Sequence, residues 1–243
     1  MATLSETVLV PTESAALPGD FVSPEPARAV VLFAHGQGSS RRSPRDRRVA
    51  AELREAGCGT LLVDLLGETE EGRGPRPAEE PADIPLLAGR LVATIDWLAD
   101  WSHGRGLPVL LFGAGTGAAA ALAAAADRPE RVLTVVCRGG RPDLAGPALE
   151  RVRTPVLLIA GGGDTEVLRA NHGAARRLRV PHTLHVVPDA TRRFEEPGAL
   201  EEVADTARRW CERFLPEPEG LPGPGGLPGP GGLSGPGGLP GPR

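Results

Sequence analysis

Five residues near the middle of the chain, Gly113-Ala114-Gly115-Thr116-Gly117, have the spacing of a tight turn built to carry a nucleophile. They follow an apolar run at 108–112 (PVLLF) and precede an alanine-rich run at 118–126, so the turn joins a buried strand to a helix. In a Gly-x-Ser-x-Gly turn of this kind the central hydroxyl stands exposed above the sheet, and the flanking glycines let the backbone close sharply. Here the central position is Gly115, which has no side chain and cannot form an acyl-enzyme. Thr116 is one residue past the apex, where its side chain is expected to point away from a cleft. The same hexapeptide fits a second template. Gly113, Gly115 and Ala118 match the dinucleotide fingerprint Gly-x-Gly-x-x-Gly/Ala. In that reading Arg138 or Arg141, at the end of the next strand, would meet the 2′-phosphate of an NAD(P)-type nucleotide. Against it, the fingerprint normally sits on the first strand of its unit, and at least two strand–helix units precede this one.

A nucleophile needs a base and an orienting acid. A carboxylate, Asp164, follows the apolar run at 155–160 (PVLLIA) through Gly161-Gly162-Gly163. The histidines are His35, His103, His172, His182 and His185. The last two lie inside an expected strand and read as packed or edge residues, and His35 opens the loop after the first apolar strand. Cys58, Cys137 and Cys211 are far apart with no CxxC spacing, so neither a zinc site nor a disulfide framework is expected. No cofactor is called for.

The elements that must position these residues alternate along the chain. Apolar runs at 29–34, 60–64, 108–112, 132–137, 155–160 and 182–187 read as strands. Helices are expected at 43–56, 84–101, 118–126, 166–178 and 200–214. Strands apolar throughout, separated by helices, mean a mostly parallel sheet covered on both faces, an α/β fold. Residues 7–10 are expected to add an antiparallel edge strand. The charged helix start Ser43-Pro44-Arg45-Asp46-Arg47-Arg48 reads as a solvated N-terminus.

Four stretches together give the chain a resemblance to bacterial dienelactone hydrolase-like α/β hydrolases over about residues 3–215: Ala34-His35-Gly36-Gln37-Gly38-Ser39-Ser40; Val63-Asp64-Leu65-Leu66; the turn at Gly113–Gly117; and 156–164 with 187–198. The resemblance implies an α/β-hydrolase fold with helices on both faces. It also implies a Ser or Cys nucleophile at the turn, an acid at Asp164 and a histidine after the last strand, in that chain order. The stretch Val187-Pro188-Asp189-Ala190-Thr191-Arg192 looks like the family's Pro-Gly-Ala-Thr-His, which puts Arg192 at the histidine position. Gly115 and Arg192 therefore stand where the resemblance implies nucleophile and base, and a guanidinium stays protonated and cannot be a base.

What this leaves is a pocket with donors. Gly36, Gln37, Thr116 and Gly117 should present backbone N–H groups at a helix N-terminus, which favours an anion, and Arg192 adds a permanent cation. The expectation is a small-molecule-binding protein without ordinary ester or lactone hydrolysis. Two readings of Arg192 stay open: it meets an anionic ligand, or it is neutralised by Asp164. A non-hydrolytic reaction such as a cyclisation, isomerisation or lyase step, run through Arg192, Asp164 and Thr116, also stays open.

The chain of 243 residues has 27 basic and 31 acidic residues, well mixed, which excludes the basic stripe of a nucleic-acid binder. Its start lacks the basic and apolar regions of a secretory signal, and no apolar run is long enough for a membrane span, so a cytoplasmic protein is expected. The domain is expected to fill residues 1–215. From Gly220 glycine recurs at every third position for eight Gly-X-Y triplets, so 216–243 reads as a collagen-like tail, disordered unless it trimerises. Oligomers would form through a sheet edge or this tail.

Overall fold

The computed structural model describes residues 2–13, 15–36, 38–67 and 83–217. The polar, Pro- and Gly-rich stretch at 68–81, which reads from its composition as a surface excursion between a strand and a helix, lies outside the described residues, as do the tail from 218 onward and Gln37. Eight strands form one sheet in the order β1-β2-β4-β3-β5-β6-β7-β8. Strands β1 (Thr3–Pro11) and β2 (Ala16–Pro24) form an antiparallel pair at one edge, and β2 runs antiparallel to β4. The remaining strands, β3 (Ala29–Ala34), β4 (Cys58–Val63), β5 (Val109–Ala114), β6 (Val132–Arg138), β7 (Val156–Gly161) and β8 (His182–Val187), pair in parallel. The edge strand expected at 7–10 is thus real and longer, with a hairpin partner.

The parallel strands are apolar without alternation because both faces are packed. Along β3, Val30, Leu32 and Ala34 enter one core, while Ala29, Val31 and Phe33 enter the other. The first core is closed by α2 (Ile84–Asp100), α3 (Gly117–Asp127), the short α4 (Ala148–Arg151) and α5 (Thr165–Arg177). The second is closed by α1 (Pro44–Glu55) and α6 (Ala199–Glu212). Helix α3 is almost wholly buried and almost wholly alanine. Alanine is the strongest helix former and its small side chain lets the helix sit tightly against the central strands and α2. On the other face, Trp210 of α6 donates its Nε1–H to Thr134 Oγ1 (2.7 Å), which donates to the Pro155 carbonyl (2.8 Å). This buried relay ties α6 to β6 and to the start of β7.

After β3 the chain turns towards β4 on one side; after β5 it turns towards β6 on the other. The loops leaving β3 and β5 therefore diverge and open a crevice above their carboxyl ends, the place where open α/β sheets bind ligands. The structure corrects one expectation about α1. Asp46 is not solvated; it is 2% exposed and contacts Arg138 at the end of β6 (3.1 Å).

Candidate functional site

The turn between β5 and α3 is a strand–turn–helix elbow with Gly115 at its apex, at φ +59°. That conformation costs little for glycine and is strained for any residue with a side chain. A Cβ built on Gly115 would meet only the Gly36 Cα, at 3.7 Å, so the space a nucleophile would take is open. Gly117 is fixed by the opposite constraint. A Cβ there would fall 2.0 Å from the Ala34 carbonyl oxygen, because α3 begins directly against the end of β3. The loop after β3 lies just as close: a Cβ on Gly36 would stand 2.9 Å from the Thr116 nitrogen. Elbow and loop thus share one wall.

Above them is a cleft of about 400 Å³, lined by Gly36, Gly115, Thr116 and Arg192 among others. Gly117 is buried at the start of α3, beneath this surface. The cleft's charged lining, among the described residues, is entirely arginine: Arg45, Arg138, Arg141, Arg192 and Arg193. Sequence reasoning placed only Arg192 here as a site residue, and considered Arg138 and Arg141 solely for a nucleotide. The available signal was their position, Arg138-Gly139-Gly140-Arg141 at the carboxyl end of the strand beside the elbow strand.

The carboxylates that balance these arginines are not among the lining residues. Arg138 faces Asp46, both buried (side chains 8% and 3% exposed), at a distance of ionic contact but without an aligned hydrogen bond. Burial lowers the Arg138 pKa, and Asp46 opposes that shift. Arg141 donates two hydrogen bonds to Asp143 (2.9 and 2.8 Å), which raise its pKa. Arg45 donates to Glu195 (2.8 Å). Arg192 and Asp164 come only to 3.9 Å, with the Arg192 side chain 65% exposed. The Asp164 carboxylate is also engaged elsewhere, capping α5 by accepting the Val167 N–H (3.1 Å). Its contact with Arg192 is a loose surface ion pair, the kind that contributes little.

Other reactive groups do not line the cleft. His35 is buried with its Nε2 3.2 Å from Asp64 Oδ1. Burial alone would raise the Asp64 carboxyl, but hydrogen bonds from His35, the Arg41 N–H and the Arg41 guanidinium outweigh it and hold the pKa at about 2. Cys137 is fully buried beside α3, and burial pushes its thiol far above the ordinary range, which leaves it un-ionised and inert. His185 meets Glu202 (2.7 Å) on the β8 edge. A second depression, of about 420 Å³, lies over β1, β2 and α1. It mixes Glu6 and Asp20 with Arg47 and Arg54, and shares no lining residue with the elbow cleft.

No protein-family model matches the chain. Among solved structures, the dienelactone hydrolase from Anabaena variabilis is 48% identical, with a TM-score of 0.84 over 88% of this chain and 99% of that one. The chain belongs to the dienelactone hydrolase-like α/β-hydrolase family. The protein Est1E from Butyrivibrio proteoclasticus shares the fold at 13% identity, with a TM-score of 0.72 over 86% of this chain and 98% of that one. Two Mycobacterium tuberculosis proteins, from strains H37Rv and CDC 1551, carry the provisional name phosphoribosyl transferase. They are 50% identical over 173 residues, 71% of this chain. The chain spans only 38% of the length of these curated relatives. Within the hydrolase frame, Gly115 occupies the apex of the elbow, and Arg192, on the loop after β8, lines the same cleft. Among the described residues no helix is long and apolar enough to cross a membrane.

Proposed function

We propose that this hydrolase-like chain binds a small anionic molecule in the elbow cleft and does not hydrolyse esters or lactones through an acyl-enzyme. The observation that carries the reading is Gly115, at φ +59° in an otherwise complete elbow, facing a cleft whose charged lining is arginine alone among the described residues. Guanidinium groups neither attack carbonyls nor take protons at neutral pH. They are well suited to hold carboxylate or phosphate groups. The N-terminus of α3, a helix of 11 residues, adds its dipole at the same place. The long 3.9 Å contact between Arg192 and Asp164 supports the anion reading of Arg192 over its neutralisation. A non-hydrolytic reaction needing a proton acceptor fits less well, since Asp164 is occupied in capping α5.

The test is hydrolysis of short esters and lactones by the wild type and by Gly115→Ser/Arg192→His. Loss of a serine nucleophile alone costs on the order of 10⁶ in turnover. The wild type is expected to show no covalent adduct and at most the residual acceleration of oxyanion donors, while the double variant forms an acyl-enzyme detectable by mass. A stoichiometric adduct on the wild-type chain during ester turnover would overturn the reading.

A further inference from the structure

The general anion-binding reading can be carried to a ligand class, because one member of the cleft differs from the rest. Arg45, Arg141, Arg192 and Arg193 reach water and have carboxylate contacts near the surface. Arg138 is 7% exposed. It packs its guanidinium 5.8 Å from the centre of the Phe112 ring, and its Nη2 faces Asp46. Its Nη1 is buried with no hydrogen-bond partner among the described residues. Buried charged donors without acceptors are rare in native proteins and call for an explanation, a bound ion among them. The residue lines the cleft beside Gly115, where the missing side chain leaves the approach to the first turn of α3 open.

We propose that the cleft takes the phosphate group of a phosphorylated small molecule, seated over Gly115 at the N-terminal turn of α3 and held by the Arg138 guanidinium, with Asp46 as the positioning residue for Arg138. This rests on the anion-binding reading above. A phosphate monoester brings three acceptor oxygens and close to two negative charges at neutral pH, whereas a carboxylate brings two oxygens and one charge. The lining residues come from separate elements: the helix turn, the end of β6, the loop bearing Arg141 and the loop bearing Arg192. That spread suits a tetrahedral group better than a planar one. The glycine apex is part of the seat, since a hydroxymethyl at 115 would occupy the space the phosphate needs.

Calorimetric titration of the full chain with methyl phosphate and with acetate tests this, using the wild type, Arg138→Met/Asp46→Leu and Gly115→Ser. The paired substitution removes both buried charges together, so the core is not left holding one of them. Should that variant fail to fold by circular dichroism, Arg138→Lys, which keeps the charge and loses the fork, takes its place. Methyl phosphate is expected to bind the wild type more tightly than acetate. Its affinity should rise from pH 5 to 7.5 as the second phosphate proton leaves at about 6, with the arginines charged throughout. Loss of the Arg138 contact should weaken methyl phosphate about 10- to 100-fold, and Gly115→Ser should weaken it as well. Equal methyl phosphate affinity in the wild type and the Arg138 variant, or acetate bound without methyl phosphate, overturns the phosphate seat and leaves the anion cleft standing. If neither probe binds the wild type, the anion reading itself falls.

Discussion

Asp64 shows how much one side chain can depend on its donors. Burial acts to raise its pKa, and hydrogen bonds from His35 and Arg41 reverse that and hold it at about 2, against about 3.9 for an unfolded Asp. Because the folded value is the lower one, the ionised carboxylate stabilises the fold fully above about pH 4. That contribution disappears as pH falls through about 2. Asp64→Asn is therefore expected to cost about 2 kcal/mol at pH 7 and much less at pH 2, read from urea midpoints at the two pH values. At this scale the sequence was partly legible. Gly115 and Arg192 could be placed from the chain because their positions are defined by local patterns. Asp46 could not. Its neighbours Ser43, Pro44 and Arg45 spell an ordinary solvated helix start, and only the end of β6, remote in sequence, turns it into half of a buried pair.

Among elements, the elbow is held by two glycines for different reasons, and the difference is measurable. Gly117→Ala would drive a methyl group into the Ala34 carbonyl, backbone against backbone, with no flexible side chain to yield. It should destabilise by roughly 3 kcal/mol or more. Gly115→Ala meets nothing closer than 3.7 Å and is penalised only for its positive φ, by about 1 kcal/mol. Thermal or urea denaturation of the two variants separates them; equal losses would show that crowding does not set the turn. Most elements were visible in the sequence because strands packed on both faces are apolar throughout and the helices carry regular apolar stripes. Their ends were less so. β5 runs on to Ala114 and β6 to Arg138 because ladder pairing with neighbours, not composition, decides where a strand stops.

For the molecule as a whole, the reversal of direction between β3 and β5 makes the crevice, and the helices on the two faces keep it in shape. Trp210 is a buried tie on the α6 side. Trp210→Phe removes the bond to Thr134 while keeping most of the packing and should cost about 1–2 kcal/mol. Trp210→Ala should cost about 3–5 kcal/mol. Both would be read from urea midpoints, with unchanged denaturant slopes showing that unfolding remains a single transition. This tie was invisible in the sequence because it joins residues from distant parts of the chain. The pattern did show the layered α/β arrangement and that the elbow strand belonged to a parallel sheet.

On the proposed reading, the glycine at φ +59° also sets what installing hydrolysis would require. Hydrolysis through a serine would need a hydroxyl at position 115 and an imidazole at 192. The first change alone meets an unfavourable backbone conformation and gains no chemistry, since arginine cannot accept the proton. The second alone supplies a base with nothing to activate. Neither single change supplies a working pair, so on the proposed reading the two positions have to change together, on a backbone shape at 115 that favours glycine.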